Sequence, residues 1–195
     1  MNYLAHTYFS IDDKEIMIGS FIADSVKGKQ IDNYSIKVKQ GIILHRTIDN
    51  FTDSHPIVKQ SIKRLDGQFA KYGPVVIDMF YDHFLAANWE NYHSANLKDY
   101  TKNIYSILFS NYLILPPKIK RILPFMSSQN WLYNYKSIEG IGKSLSGLAT
   151  RTPHKSNMEF AYLILHEKYY YFYNDFKSLF SDLILFMEDN KYKNK

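Results

Sequence analysis

The stretch Ile42-Ile43-Leu44-His45-Arg46-Thr47-Ile48-Asp49-Asn50-Phe51-Thr52-Asp53 decides how the chain is read. Val38, Ile42, His45 and Asp49 follow steps of four, three and four, the spacing of one helix face. That face is otherwise apolar and is expected to point inward. An inward His and Asp need partners, because burying an unpaired charge is costly. The same oddity recurs at Asp78-Met79-Phe80-Tyr81-Asp82-His83-Phe84-Leu85. Two such stretches predict one shared site.

Outward from this stretch the pattern stays helical. Ser35 to Asp53 forms the helix that carries it, broken by His55-Pro56, since proline disfavours helix at the residue before it. Upstream, a helix is expected from Asp12 or Asp13, which can cap it, to Gly28, which can end it, with Asp24 near its end. Downstream, a helix starts at Pro56 with Val58, Ile62, Leu65 and Phe69 as its buried stripe. Pro74 opens the next, which reaches Tyr92 and stacks Asp78 and Asp82 one turn apart. Leu97 to Phe109, a short helix after Pro116-Pro117, a segment at Trp131 and a helix from Ile138 to Thr150 follow. One long helix from Asn157 to Glu188 closes the chain, and the Lys-rich tail after Asp189 is expected to fray. The prediction is an all-α, single-domain helical bundle over residues 1–195.

Composition narrows the chemistry. The 195 residues are 46% hydrophobic and 16% aromatic, enough for a sizeable core. No cysteine is present, which excludes disulfides, thiolate zinc sites and cysteine nucleophiles. Any metal must be held by His and carboxylates, a set that suits magnesium or manganese and tolerates iron or zinc. The formal charge of +5 fits a basic face for an acidic partner. The N-terminus lacks a signal-peptide pattern, and no apolar run approaches a membrane span, so a cytoplasmic location is expected.

His45, Asp49, Asp78, Asp82 and His83, with Asp24 and His6 as further candidates, would repel one another if gathered in a helical core without a cation. A divalent cation resolves that repulsion. It would polarise a phosphoryl oxygen and supply a nucleophile near neutral pH, with Asp49, Asp53 or Asp78 assisting as base. Arg46 and Arg151 could then take phosphate charge through paired donors.

Several segments carry a family resemblance. Met1-Asn2-Tyr3-Leu4-Ala5-His6, Ala23-Asp24-Ser25-Val26-Lys27-Gly28, Gly41-Ile42-Ile43-Leu44-His45-Arg46-Thr47-Ile48-Asp49, Thr52-Asp53-Ser54-His55-Pro56 and Asp82-His83-Phe84-Leu85 resemble the acyl carrier protein phosphodiesterase family. Gln129-Asn130-Trp131-Leu132 and Leu148-Ala149-Thr150-Arg151-Thr152-Pro153 match in order and spacing. The resemblance implies a bundle akin to HD-domain phosphohydrolases, although the order Asp82-His83 reverses the pair that names them. It implies hydrolysis of holo-acyl carrier protein to the apo-protein and 4′-phosphopantetheine, with Mn2+ or Mg2+ as cofactor. It places functional weight on Asp24, His45, Asp49, Asp82 and His83.

The expected assignment is Asp24, His45, Asp82 and His83 on the metal, with His6 as a further candidate. Asp49, Asp53, Asp78 and Arg46 serve the chemistry. Lys27, Lys29 and Arg151 bind the substrate, and Lys37 and Lys39 add to the basic face for an acidic carrier protein. Nucleic acid and membrane are not expected as partners. The alternatives are an HD-type phosphohydrolase acting on a nucleotide or other small phosphoester, and a non-catalytic carrier-protein-binding module.

Overall fold

The structure is a computed structural model that describes residues 1–193, with side chains to Asn190. Eleven α-helices and several 3-10 turns make up the described residues, with no strand among them. The helices are α1 (Tyr3–Tyr8), α2 (Lys14–Ile22), α3 (Ile36–Ser54), α4 (Pro56–Lys63), α5 (Gly73–Ala87), α6 (Leu97–Ser110), α7 (Pro117–Ser128), α8 (Trp131–Asn134), α9 (Ile138–Ala149), α10 (Ala161–Glu167) and α11 (Tyr169–Lys193).

α5 lies at the centre. It is buried on nearly every side, from Val76 and Ile77 to Phe84, Leu85 and Ala86, because α1, α4, α9 and α11 all pack on it. The aromatic stripe of the last helix supplies much of the filling. Phe172, Phe176, Leu179 and Leu183 are fully buried, and Phe172 and Phe176 lie against Phe80 and Tyr81. A buried carboxylate ties α11 to α4: Asp175 accepts from Ser61 Oγ at 2.7 Å, Arg64 Nε at 2.9 Å and Gln60 Nε2 at 3.2 Å. Pairing of this kind is what makes a buried carboxylate tolerable.

α2 and α3 share the most extensive helix–helix contact. A Cβ built on Gly19 would stand 2.0 Å from the Val38 carbonyl oxygen, and one on Gly41 would stand 2.0 Å from that of Ile16. The two backbones therefore touch with no side chain between them, a close approach only glycine permits. Local signals set the ends of both helices. Asp13 caps α2 by accepting from the N–H groups of Glu15 and Ile16. Ser35 caps α3 through the N–H of Val38, and α3 stops just before His55-Pro56.

Other boundaries moved. The first expected helix ends at Ile22 rather than Gly28, giving way to 3-10 turns at Ala23–Ser25 and Gly28–Asn33. α4 ends at Lys63, because Asp66, Gly67 and Ala70 turn the chain through positive φ. Leu65 and Phe69 are still buried, but from that turn rather than along a helix. The long final helix is two, broken at Lys168, whose ammonium reaches across to the Arg64 carbonyl at 2.9 Å. No local residue signals that break; the contact is tertiary. The tail expected to fray continues as helix through Lys193, and residues 194–195 lie outside the described residues.

Replacing Gly41 with Ala forces α2 and α3 apart. The expected loss is about 3 kcal/mol, the upper end for overpacking, seen as a fall in Tm of roughly 6–12 °C for a chain of this length. An unchanged melting curve would show that the two helices can separate freely.

Candidate functional site

The site begins at the α2–α3 crossing. Close approach at Gly19 and Gly41 carries the last turn of α2 past the middle of α3, so the Ser20 carbonyl meets His45. His45 Nδ1–H donates to that oxygen at 2.8 Å. The ring is thereby oriented with Nε2 facing outward, toward Asp49 one turn further along α3 at 3.0 Å and Asp24 at 3.4 Å. Asp24 comes from the 3-10 turn after α2 and is exposed.

α1 supplies the third element. Its N-cap is Asn2, whose side chain accepts from the Tyr3 N–H at 2.7 Å. Asp82, wholly buried on α5, accepts from the N–H groups of Asn2 at 3.2 Å, Leu4 at 2.7 Å and Ala5 at 3.3 Å. It thus answers the orphan donors at the start of a helix. Asp78, one turn back, accepts from the Met1 amino group at 2.9 Å. These contacts hold α1 so that His6 lies flat on His45, ring centroids 3.7 Å apart and planes 15° apart. His6 Nε2–H donates to Asp49 Oδ1 at 3.1 Å and to the Met1 carbonyl at 3.2 Å. Its Nδ1 is buried with no partner among the described residues.

His6, His45 and Asp49 therefore converge, each offering one atom within 4.8 Å of the others. Their electrostatics are shared. Burial pulls His45 down, but hydrogen bonds to Asp24 and Asp49 outweigh it and raise the imidazole to about 9. Burial dominates at His6 and lowers it to about 4, with the neighbouring His45 charge adding to the effect. One ring of the stack is thus an imidazolium and the other neutral. Burial opposes ionisation of Asp49, yet the two imidazoles hold it well below the usual carboxylate range. The His45 hydrogen bond likewise lowers Asp24. Burial raises Asp82 to about 7 against the pull of its three N–H donors, and it raises Asp53 and Asp78 as well.

The structure thus gathers Asp24, His45, Asp49 and His6. Asp53 lies one turn beyond Asp49 on α3, exposed and close enough to feel the charges of Asp49 and the Met1 amino group. Asp78 and Asp82 border the cluster from α5, but their oxygens are taken by the N-terminal segment. His83 lies elsewhere: its Nδ1–H donates to the Tyr135 carbonyl at 2.8 Å and its ring packs on Phe84 and Tyr169. Arg46 donates to the Val26 carbonyl at 3.1 Å, tying α3 to the loop after Asp24. Arg151 sits over the Trp131 ring, 5.6 Å from its centroid, and its charge reaches Tyr3 together with that of Asp24. Lys27 and Lys29 are exposed just beyond the Asp24 turn, whereas Lys37 and Lys39 pair with Asp13 and Asp32. Sequence reasoning underrated His6; Asn2 as a cap just before Tyr3-Leu4-Ala5-His6 was the available signal for a helix that could aim it.

The donor set fits a divalent cation. His45 is held by its far nitrogen on a carbonyl, the usual support of a ligating imidazole. His6 and His45 aim Nε2 at one carboxylate, and a cation at that point would replace the two N–H···O contacts with ligand bonds.

The family model described as acyl carrier protein phosphodiesterase matches residues 1–183. Relatives carry the same name. The protein of Photorhabdus laumondii subsp. laumondii is 30% identical over 196 residues, covering 100% of this chain and 96% of its own. That of Serratia proteamaculans is 26% identical, covering 98% of this chain and 100% of its own. That of Yersinia enterocolitica is 27% identical, covering 78% and 80%. No solved structure matches the chain.

In the metal-free protein, histidine side-chain NMR across pH is expected to show one imidazole titrating near 9 and another near 4. Because the His45 value is raised on folding, its contribution to stability is complete below about pH 6.5. That contribution fades as the pH rises through about 9. Asp49→Asn should bring the upper titration down toward an ordinary histidine; an unmoved curve would break the proposed pairing.

Proposed function

The chain belongs to the acyl carrier protein phosphodiesterase family, and we propose that it hydrolyses holo-acyl carrier protein to apo-protein and 4′-phosphopantetheine with a divalent cation. The observation that carries this reading is the convergence of His6, His45 and Asp49, with exposed Asp24 at their edge. A phosphodiester is anionic and resists attack, so its hydrolysis calls for positive charge placed where negative charge develops.

We take His6, His45, Asp49 and Asp24 as the residues that would hold the cation, in place of a set that includes Asp82 and His83. Two imidazoles beside two carboxylates favour Mn2+ over Mg2+, which prefers oxygen ligands throughout. Bound there, the cation would supply Lewis acidity to a phosphoryl oxygen. Asp53 is the residue best placed to accept a proton from the attacking water. It is exposed, lies one turn beyond Asp49 on α3, and has its carboxyl raised above the ordinary value by partial desolvation. Asp78 is committed to the Met1 amino group, and Asp49 to the two imidazoles.

Arg151 lies near enough to Tyr3 for its charge to act on the phenol, as that of Asp24 does, and from there its guanidinium can take phosphate charge. Arg46 acts through the backbone, holding the loop that presents Asp24. Lys27 and Lys29 offer exposed positive charge to an acidic carrier protein, a role that Lys37 and Lys39, already paired, serve less well. The partner reading is therefore a carrier protein docked by Lys27 and Lys29. Among the described residues no helix is long and apolar enough to cross a membrane.

Incubation with holo-acyl carrier protein and Mn2+ should remove the phosphopantetheine mass from the carrier. His45→Ala should lower the rate by more than about 100-fold, exceeding the loss typical of a supporting residue. Turnover that survives both His45→Ala and exhaustive chelation would end the metal reading, and no mass change would end the substrate reading.

Reversing charge at Lys27 and Lys29 together should raise KM and flatten its salt dependence while sparing kcat. Identical KM values at low salt would remove these lysines from docking.

A further inference from the structure

A cleft of about 380 Å³ opens where α7 ends, α8 runs and α9 passes. Its lining includes Gln129, Trp131, Asn134, Lys143, Ser144 and Arg151. Trp131, Ser144 and Arg151 also line a second, narrower cleft that reaches Asn2, Tyr3 and Met79. The two clefts therefore adjoin at these three residues. The inner end stands at the start of α1, which carries His6 three residues after Tyr3. Tyr3 also stacks on Phe21, ring centroids 4.5 Å apart, and Phe21 lies three residues before Asp24. The lining thus runs from Tyr3, at the start of the helix that carries His6, past Arg151 to the open floor beside Lys143, and forms one passage.

The lining has a consistent chemistry along that passage. In the cleft that reaches Tyr3 it is cationic, with Arg151 and Lys118 in the lining. Arg151 Nε–H is spent on the Gly147 carbonyl at 2.7 Å, which orients the guanidinium over Trp131 and leaves its two Nη groups for a ligand. Further out, the flat Trp131 face stands beside the side-chain amides of Gln129 and Asn134. Trp131 is itself held, its Nε1–H donating to Gln129 Oε1 at 2.9 Å. A phosphate at one end, then an aromatic wall, then amide donors and acceptors is the complement of a slender chain that begins with a phosphate and carries amides. The wider cleft has the volume of a small-molecule site.

We propose that this passage seats the pantetheine arm of the substrate, with Arg151 at its phosphate end, Trp131 as its wall and Ser144 at the constriction. The assignment rests on the carrier-protein reading given above. It extends that reading by making recognition depend on the arm itself, from residues at the far end of the chain from α1. A small phosphodiester without an arm needs the cluster but not the passage.

Ser144→Cys tests this directly, because the chain has no cysteine of its own and the new thiol is unique. S-methyl-pantetheine, whose capped sulfur cannot exchange with that thiol, should slow its alkylation by N-ethylmaleimide. The alkylated protein should show a KM for holo-acyl carrier protein raised roughly tenfold or more, the pattern of lost substrate binding. Hydrolysis of bis(p-nitrophenyl) phosphate should be unchanged. Arg151→Lys, which keeps charge but loses the planar fork, should raise the same KM. Undiminished alkylation in the presence of S-methyl-pantetheine would overturn the proposal, as would an unchanged KM in a protein that turns over the carrier. If the protein fails to act on holo-acyl carrier protein, the activity reading falls alone. The protection experiment then decides the passage by itself.

Discussion

A single buried carboxylate holds the site together. Asp82 has no solvent and no cationic side chain beside it, only the N–H groups of Asn2, Leu4 and Ala5. Burial alone would drive such a group to protonate, and its raised pKa records that pressure. The opposing pull is the start of α1, whose donors have no partners within their own helix. Carboxylate and helix end thus satisfy each other. Because α1 is only six residues long, it has little stability of its own. Its position, and with it that of His6, is set by its packing on α5 and α2.

The consequence for the cluster is a division of charge. Two imidazoles stacked at 3.7 Å cannot both be protonated cheaply, and the surroundings decide which one is. His45 has a carbonyl behind it and two carboxylates before it, so it takes the proton. His6 is more deeply buried and stays neutral. A cation entering the cluster has to displace one proton, from His45, so occupancy and pH are linked there.

Most of the fold could be read from residue pattern, because its signals are local. Ser35, Asp13 and His55-Pro56 mark helix ends by hydrogen bonding and sterics that act within a few residues. Features set by distant partners could not be read so. The break at Lys168 depends on a carbonyl more than a hundred residues upstream. The early end of α4 could have been suspected from Asp66-Gly67, yet Leu65 and Phe69 keep a helical spacing across that turn and hide it. At the site, periodicity turned His45 and Asp49 inward together, and that part came from one helix. Asp82 was equally inward by pattern. Whether an inward carboxylate serves a cation or a helix end depends on what lies opposite, and α1 lies nearly eighty residues away in the chain.

The bare crossing at Gly19 and Gly41 leaves the site without mechanical slack. Where side chains lie between helices, they can change rotamer and absorb a small displacement. Here backbone meets backbone, and the next groups along the same contact are the Ser20 carbonyl and the His45 ring, 2.8 Å apart. A tilt of α3 too slight to disturb the core would still uncouple that imidazole from the oxygen that aims it. The geometry of the cluster is therefore indexed to a place on the fold outside the cluster itself, and two hydrogen atoms, where any other residue carries a carbon, set its tolerance.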